Sequence, residues 1–217
     1  MSAVAPPERA SAAPGTHERL RTMVAQRFER SIAVSTAFFE ANADVVANAC
    51  LAMARRFGTG GRLLAFGSGA CATDAQHVAV EFVHPVLVGK RALPAIALTS
   101  DVAALTAEAS RTKRGFAGII SVLGRRDDIV LAIATGAADD ACVRALECGR
   151  AMGMLTIALT GGRRAASGAA LADFSLVVPT DDPFVVQEVH ETAYHVLWEL
   201  VHVFLDHRAP GDAPRHG

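Results

Sequence analysis

The segment most informative about the fold is residues 62–82, RLLAFGSGACATDAQHVAVEF. It begins with a short apolar run, residues 62–66, which ends in the glycine turn Gly67-Ser68-Gly69 and is followed by a helical pattern over 71–84. A short apolar run that passes through a glycine turn into a helix is typical of a strand–helix unit of a parallel sheet. Four further apolar runs of the same kind lie at residues 94–100, 128–134, 155–160 and 174–179.

Helical patterns flank and separate these runs. They extend over residues 17–57, where we expect two segments, over 139–152 and 184–206, and over a short stretch after Gly162. Continuous apolar strands that alternate with helices favour a parallel sheet covered on both faces. The sequence therefore predicts an α/β fold: a three-layer α/β/α sandwich with a five-stranded parallel sheet, N-terminal helices and a long C-terminal helix. In such sheets, ligands bind at the carboxyl ends of the strands.

The chain of 217 residues is long enough for one sizeable domain. We predict a single domain over residues 17–207. An arm rich in Ala, Pro and Ser precedes it at 1–16, and a similar tail follows at 208–217. Both ends are predicted to be disordered.

Charge and composition exclude several classes of protein. The 21 basic and 22 acidic residues give a formal net charge of -1, so we expect no nucleic-acid partner, which would need clustered Lys and Arg. No apolar stretch approaches the ~20 residues of a membrane helix, and the N-terminus lacks the pattern of a signal peptide. The four cysteines form no C-x-x-C pair, which favours free thiols. We therefore predict a cytoplasmic protein with no membrane partner.

Two helical patterns carry polar stripes of the residue types that bind metals. His77 and Glu81 are four residues apart and share one helix face, and Gln187, Glu191 and His195 repeat this spacing on the otherwise apolar last helix. Imidazole nitrogen and carboxylate oxygen are good zinc ligands. A metal shared by the two helices would satisfy both stripes. A surface hydrogen bond on the first helix and a plain polar face on the last remain open as alternatives.

The glycine turn FGSGAC, residues 66–71, offers a place for an anion. The helix that follows has unpaired N–H groups at its N-terminus, and these favour negative charge. A plain strand-to-helix turn explains the motif equally well, because a single Gly-x-Gly is a weak signal.

Five segments in a fixed order carry a resemblance to a known family. They are FGSGACATDAQHVAVEF, LPAIAL, VLAIATG, LTIALTGG and VVQEVHETAYH, between residues 66 and 195. With them the chain resembles the sedoheptulose-7-phosphate isomerases, which have a SIS (sugar isomerase) domain, over roughly residues 20–206. The specific part is the pair of end motifs, D-A-x-H-x-A-x-E and Q-E-x-H-x-x-x-x-H. The resemblance implies a SIS-type, flavodoxin-like fold.

The resemblance also implies a metal site and a reaction. The family's zinc ligands fall on His77, Glu81, Gln187 and His195, with one Zn²⁺ per subunit, and its acid/base pair falls on Glu81 and His195. The implied reaction converts sedoheptulose 7-phosphate to D-glycero-D-manno-heptose 7-phosphate, a step of heptose biosynthesis. In this chemistry a metal polarises the open-chain sugar while the acid/base pair moves a proton between adjacent carbons. The implied assembly is a homotetramer with active sites at subunit interfaces.

The family's phosphate-binding positions are only partly kept. Its Ser/Thr-rich loop falls on residues 134–139, where only Thr135 has a hydroxyl and Asp139 stands in place of the last serine. A carboxylate there repels a phosphate dianion, although Asp139 also suits the N-cap of helix 139–152. The substrate-binding positions that the resemblance implies are Ser68, Gly69, Ala70, Cys71, Ser110, Arg111, Ala134, Thr135, Gly136, Asp139 and Gln187.

These departures leave two alternatives open. One is a non-catalytic SIS-type protein that binds phosphosugars or regulates a partner; a relative that binds the replication initiator is of this kind. That relative lacks the glutamate present here as Glu81, which favours an enzyme. The other is an isomerase or related enzyme for a different sugar, with or without a phosphate, which the lost serine loop favours.

Overall fold

The structure, a computed structural model, describes residues 15–102, 106, 115–162 and 172–207. The arm and tail predicted at the two ends lie outside the described residues, apart from Gly15 and Thr16, and so does the helical stretch predicted after Gly162. The elements in chain order are α1 (Thr16–Gly58), β1 (Leu63–Gly67), α2 (Cys71–Val83), β2 (Ala95–Ala97), α3 (Gly115–Leu123), β3 (Ile129–Ile133), α4 (Asp140–Ala151), β4 (Leu155–Gly161), β5 (Phe174–Val178) and α5 (Pro183–Asp206).

The strands form one parallel sheet in the order β2-β1-β3-β4-β5. This confirms the predicted five-stranded parallel sheet, and the order is the flavodoxin-like one. β1, β3 and β4 are buried along their whole length, which explains why their apolar runs are continuous rather than alternating. Gly67 pairs with Ile133, and Ile133 pairs with Leu159, so the carboxyl ends of the three central strands lie side by side.

Each face of the sheet has its own apolar core. Leu63 and Ala65 of β1 pack in the core that α1, α2 and α5 cover, whereas Leu64 and Phe66 pack in the core that α3 and α4 cover. The protein is therefore the predicted three-layer sandwich. Because α2 and α5 cover the same face, their polar stripes lie on the same side of the molecule.

α1 is a single helix of 43 residues, where the sequence predicts two segments. The expected break is absent because residues 16–57 contain no Gly or Pro, the two residue types that break helices most strongly. All of its buried residues lie between Phe38 and Phe57. The half before Phe38 exposes apolar side chains, namely Leu20, Met23, Val24, Phe28 and Ile32.

Polar contacts tie this exposed half of α1 to the start of α5. Glu188 Oε1 accepts a hydrogen bond from Arg27 at 2.6 Å, and Glu188 Oε2 accepts one from the Ser31 hydroxyl. The start of α5 is fixed further by Asp182, whose carboxylate caps the helix at the N–H of Phe184, 3.1 Å away. The first two turns of α5 are thus held by the Asp182 cap and by α1.

The turn between β1 and α2 requires glycine at one position. A Cβ atom added to Gly67 would lie 2.6 Å from the carbonyl oxygen of Ile133 and 2.7 Å from Cβ of Cys71, so no other residue fits. This close approach brings the start of α2 against the end of β3. In the part of the chain that the structure describes, no helix is both long and apolar enough to cross a bilayer.

Candidate metal and substrate site

The polar stripes of α2 and α5 face each other. His77 of α2 contacts α5, where the Tyr194 hydroxyl oxygen is 2.8 Å from His77 Nδ1 and Glu191 Oε1 is 3.9 Å from the same nitrogen. The ring centres of His77 and His195 are 5.3 Å apart. His77, Glu191 and His195 can each place a ligand atom within 4.8 Å of the other two. These three side chains form a group of the size that can hold a metal ion.

Glu81 approaches the same histidine from within α2. Its Oε1 is 3.2 Å from His77 Nε2, and its side chain is only 15% exposed, against 52% for Glu191. Three members of the predicted ligand set therefore lie close together, since His77 neighbours both Glu81 and His195. Glu191 adds a second carboxylate on the solvent side of the group.

Gln187, the fourth predicted ligand, contacts α2 one turn earlier. Its Nε2 donates to both carboxylate oxygens of Asp74, at 2.9 and 3.2 Å. Asp74 is buried, and this desolvation raises its pKa, while the hydrogen bond from Gln187 acts in the opposite direction. Gln187 is thus held at the contact of the two helices.

Three residues of this site, Asp74, Glu191 and Tyr194, were not among the site residues that the resemblance implied. Glu191 stands in the stripe of four-residue spacing, so its place facing α2 was readable from the pattern. Asp74 belongs to the D-A-x-H motif but offers no signal of its partner. Tyr194 precedes His195 and lies off the stripe. Burial raises the pKa of Tyr194, and the charge of Glu191 adds to this, so its hydroxyl stays protonated.

His190, which the sequence places at the edge of the stripe, does not join the group. It is fully buried, and its Nε2 is 3.1 Å from the carbonyl oxygen of Thr160. Burial lowers the pKa of His190 to about 4, so the ring is neutral at physiological pH. It is a structural histidine of the interior.

The two predicted phosphate loops meet at the carboxyl ends of β1 and β3. Asp139 caps α4, where its Oδ1 accepts from the Cys142 N–H at 2.8 Å, and its carboxylate also takes a hydrogen bond from Ser68. Partial burial alone would raise the pKa of Asp139, but the hydrogen bonds from Cys142 and Ser68 bring it below its usual value. The predicted cap is confirmed. An ionised carboxylate therefore takes the N–H groups that a phosphate would use there.

The remaining predicted substrate positions are distributed around this carboxylate. Ser68, Gly69 and Ala70 are exposed in the turn, whereas Cys71 is buried below it. Desolvation raises the pKa of Cys71 and the charge of Asp74 adds to this, while hydrogen bonding with Thr135 opposes it. Cys71 is therefore a protonated packing residue. Ala134, Thr135 and Gly136 follow β3 and are half-buried, while Ser110 and Arg111 lie outside the described residues.

Known proteins are similar to this chain in sequence and in fold. The SIS domain family model matches residues 27–161. The phosphoheptose isomerase of Thermodesulfovibrio yellowstonii is 34% identical over 180 residues, which cover 82% of this chain and 89% of that protein. The phosphoheptose isomerase of Desulfovibrio desulfuricans is 38% identical over 179 residues, which cover 82% of this chain and 85% of that protein. The chain belongs to the phosphoheptose isomerase family.

A solved phosphoheptose isomerase shares the fold over most of its length. The enzyme from Francisella tularensis superimposes with a TM-score of 0.72 at 34% identity, covering 83% of this chain and 96% of that protein. The resemblance that the sequence indicated is thus confirmed. As a member of the phosphoheptose isomerase family, the chain is an enzyme of the isomerase class.

The donor groups at the α2–α5 contact fit a metal ion. Imidazole and carboxylate are the ligand types of catalytic zinc sites, which keep an open position for water or substrate. His77 is 37% exposed and Glu191 is 52% exposed, so the group opens to solvent as such a site requires. The same donors accept other divalent transition metals.

Proposed function

We propose that this protein is a metal-dependent aldose–ketose isomerase that converts sedoheptulose 7-phosphate to D-glycero-D-manno-heptose 7-phosphate. The main support is the group of His77, Glu81 and His195 at the contact of α2 and α5, because it combines proton-transfer groups with metal-ligand types. The names of its relatives support the substrate class.

The proposed metal is zinc, one ion per subunit, with His77, Glu81, Gln187 and His195 as ligands. A bound zinc ion would polarise the carbonyl and hydroxyl groups of the open-chain sugar. Glu191 lies close enough to His77 to be an alternative carboxylate ligand. Tyr194 orients His77 through its hydrogen bond to Nδ1, as groups behind metal-binding histidines commonly do.

Glu81 and His195 are the proposed acid/base pair. Interconversion of a ketose and an aldose removes a proton from one carbon and adds one to its neighbour, with an enediol in between. The Glu81 carboxylate, held against His77, moves this proton between the carbons. His195 takes and returns the proton on the neighbouring oxygens, so the conversion needs no external oxidant or reductant.

The assembly we propose is a homotetramer with active sites at subunit interfaces. The exposed apolar side chains on the first half of α1 support this, because a contiguous apolar face of this kind is typical of an interaction surface. The cytoplasmic location and the absence of a nucleic-acid partner stay predictions from the sequence.

The decisive experiment is turnover of sedoheptulose 7-phosphate by the zinc-loaded full chain, followed as formation of the aldoheptose phosphate. We expect Glu81→Gln to lower kcat by about 100-fold or more, the usual contribution of one acid/base group. Glu199→Gln, an exposed glutamate on α5, is the matched control and should retain full activity. Absence of turnover by folded, metal-bound protein would refute the substrate, and full activity of Glu81→Gln would refute the role of that residue.

An unphosphorylated ketose is the second candidate substrate. The observation that favours it is the carboxylate of Asp139 at the N-terminus of α4, where it takes the Cys142 N–H at 2.8 Å. Parallel assays with sedoheptulose and sedoheptulose 7-phosphate separate the two candidates. A higher kcat/KM with the phosphate-free sugar would replace the first candidate by the second.

A further inference from the structure

Asp74 is a buried carboxylate beside the proposed metal site that has no task in the proton-transfer scheme. It lies in the first turn of α2 and is 6% exposed. Both of its oxygens accept from a single atom, Gln187 Nε2, at 2.9 and 3.2 Å. Burying a carboxylate costs free energy unless it is hydrogen-bonded, so the position of this group at the helix contact needs an explanation.

The contact determines which end of the Gln187 amide is free. An ionised carboxylate can only accept hydrogen bonds, so the amide must turn Nε2 toward Asp74 and leave Oε1 for another partner. In the part of the chain that the structure describes, Oε1 of Gln187 accepts no hydrogen bond. Oxygen is also the only atom of an amide that serves as a metal ligand, since the nitrogen lone pair is delocalised.

The free oxygen belongs to a residue on the same helix stripe as the metal-binding group. Gln187 lies one turn before Glu191 and two turns before His195 on α5, and Asp74 lies three residues before His77 on α2. The contact of Asp74 with Gln187 is therefore one turn away from the contact of His77 with Glu191 along both helices.

We propose that Asp74 is a positioning residue that fixes the Gln187 amide with its oxygen available to the metal. The inference rests on the proposed metal site and deepens it, because it names the group that selects the liganding atom. The same contact explains why Asp74 is an acid: an asparagine could donate as well as accept, and it would allow the amide of Gln187 to turn over.

The first test is zinc affinity of the apo full chain, measured by competition with a chromophoric chelator. We expect Asp74→Asn to raise the Kd for zinc about 10- to 100-fold, the usual effect of removing a group behind a ligand. Gln187→Ala should weaken binding similarly, and Asp74→Asn should add little on the Gln187→Ala background, since the two residues act as one unit. Asp182→Asn, which keeps a capping side chain at the start of α5, is the control and should bind zinc as the wild type does.

The second test reverses the hydrogen bond. In the double variant Asp74→Asn/Gln187→Glu, the introduced amide donates to one oxygen of the introduced carboxylate and leaves the other for zinc. We expect this double variant to recover most of the affinity that either single variant loses. In Gln187→Glu alone, two carboxylates face each other, so its affinity should be lower than that of the double variant.

The outcomes separate this inference from the rest of the proposed function. Asp74→Asn that lowers the melting temperature but leaves the zinc Kd unchanged would overturn the inference, because the contact would be structural only. A double variant no tighter than the single ones would also overturn it. Zinc binding that depends on Asp74, without turnover of sedoheptulose 7-phosphate, would support the inference and refute the substrate. Wild-type protein that binds no zinc would refute both the metal site and the inference.

Discussion

Replacing Asp139 by serine removes the capping carboxylate from the N-terminus of α4 and leaves a hydroxyl, which can donate to a phosphate as a carboxylate cannot. In the structure the carboxylate accepts from the Cys142 N–H at 2.8 Å and also engages the hydroxyl of Ser68. A phosphate that binds the same groups must first displace it. Asp139→Ser removes this competitor and frees Ser68 to donate to the substrate.

The magnitude follows from the cost of giving up the cap. Losing an N-cap costs about 0.5–2 kcal/mol, which corresponds to a factor of about 2 to 30 in affinity. Repulsion between the carboxylate and the phosphate adds little, because most of the Asp139 side chain is in contact with solvent, which screens its charge. We therefore expect Asp139→Ser to lower KM for sedoheptulose 7-phosphate about 2- to 30-fold, with kcat nearly unchanged.

Steady-state kinetics measures this effect, with inhibition by inorganic phosphate as a second readout that should strengthen in parallel. KM for unphosphorylated sedoheptulose should not change. Asp140→Ser is the matched control, because it removes the same charge from the first turn of α4 without removing the cap. An unchanged or higher KM in Asp139→Ser would show that its carboxylate does not compete with phosphate. An equal drop in Asp140→Ser would indicate a general effect of charge instead.

Two further predictions concern Tyr194 and His190. Tyr194→Phe removes the hydroxyl that lies 2.8 Å from His77 Nδ1. We expect this variant to bind zinc with a Kd about 10- to 100-fold higher while circular dichroism shows an intact fold. Unchanged zinc affinity would show that the His77 ring does not depend on this hydrogen bond. Folding lowers the pKa of His190 from 6.5 to about 4, so between these pH values only the unfolded chain binds the proton. The contribution of neutral His190 to the free energy of unfolding is therefore complete above pH 6.5 and declines as the pH falls toward 4. This loss should be on the order of 3 kcal/mol in urea unfolding, and it should be absent in His190→Gln; equal pH dependence in both would contradict the assignment.

Much of the fold was predictable from local pattern. The apolar runs at residues 62–66 and 128–134 correspond to the buried strands β1 and β3. They are continuous because helices cover both faces of these strands, so neither face carries polar side chains. The expected break within residues 17–57 was wrong, because this stretch contains neither Gly nor Pro and forms one continuous helix. Asp139 as a cap was predictable, since its effect is local.

Residue spacing predicted which side chains share a helix face in the site, but not which residues contact each other. Four-residue spacing placed Gln187, Glu191 and His195 on one face of α5, but the packing of α5 against α2 decides which member meets which partner. That packing depends on contacts across the whole core, so no local pattern indicated that Gln187 meets Asp74 or that Tyr194 meets His77.

The first half of α1 is connected to the candidate metal site through α5. A helix of 43 residues is about 65 Å long, roughly twice the width of a small domain, so its first turns lie far from its buried half. Arg27 and Ser31 grip Glu188, the immediate neighbour of Gln187. These contacts link the exposed half of α1 to the turn of α5 that holds Gln187. A second molecule bound to the exposed half of α1 would therefore restrain the turn of α5 that contains Gln187. Dilution that dissociates this molecule would make the same turn more mobile.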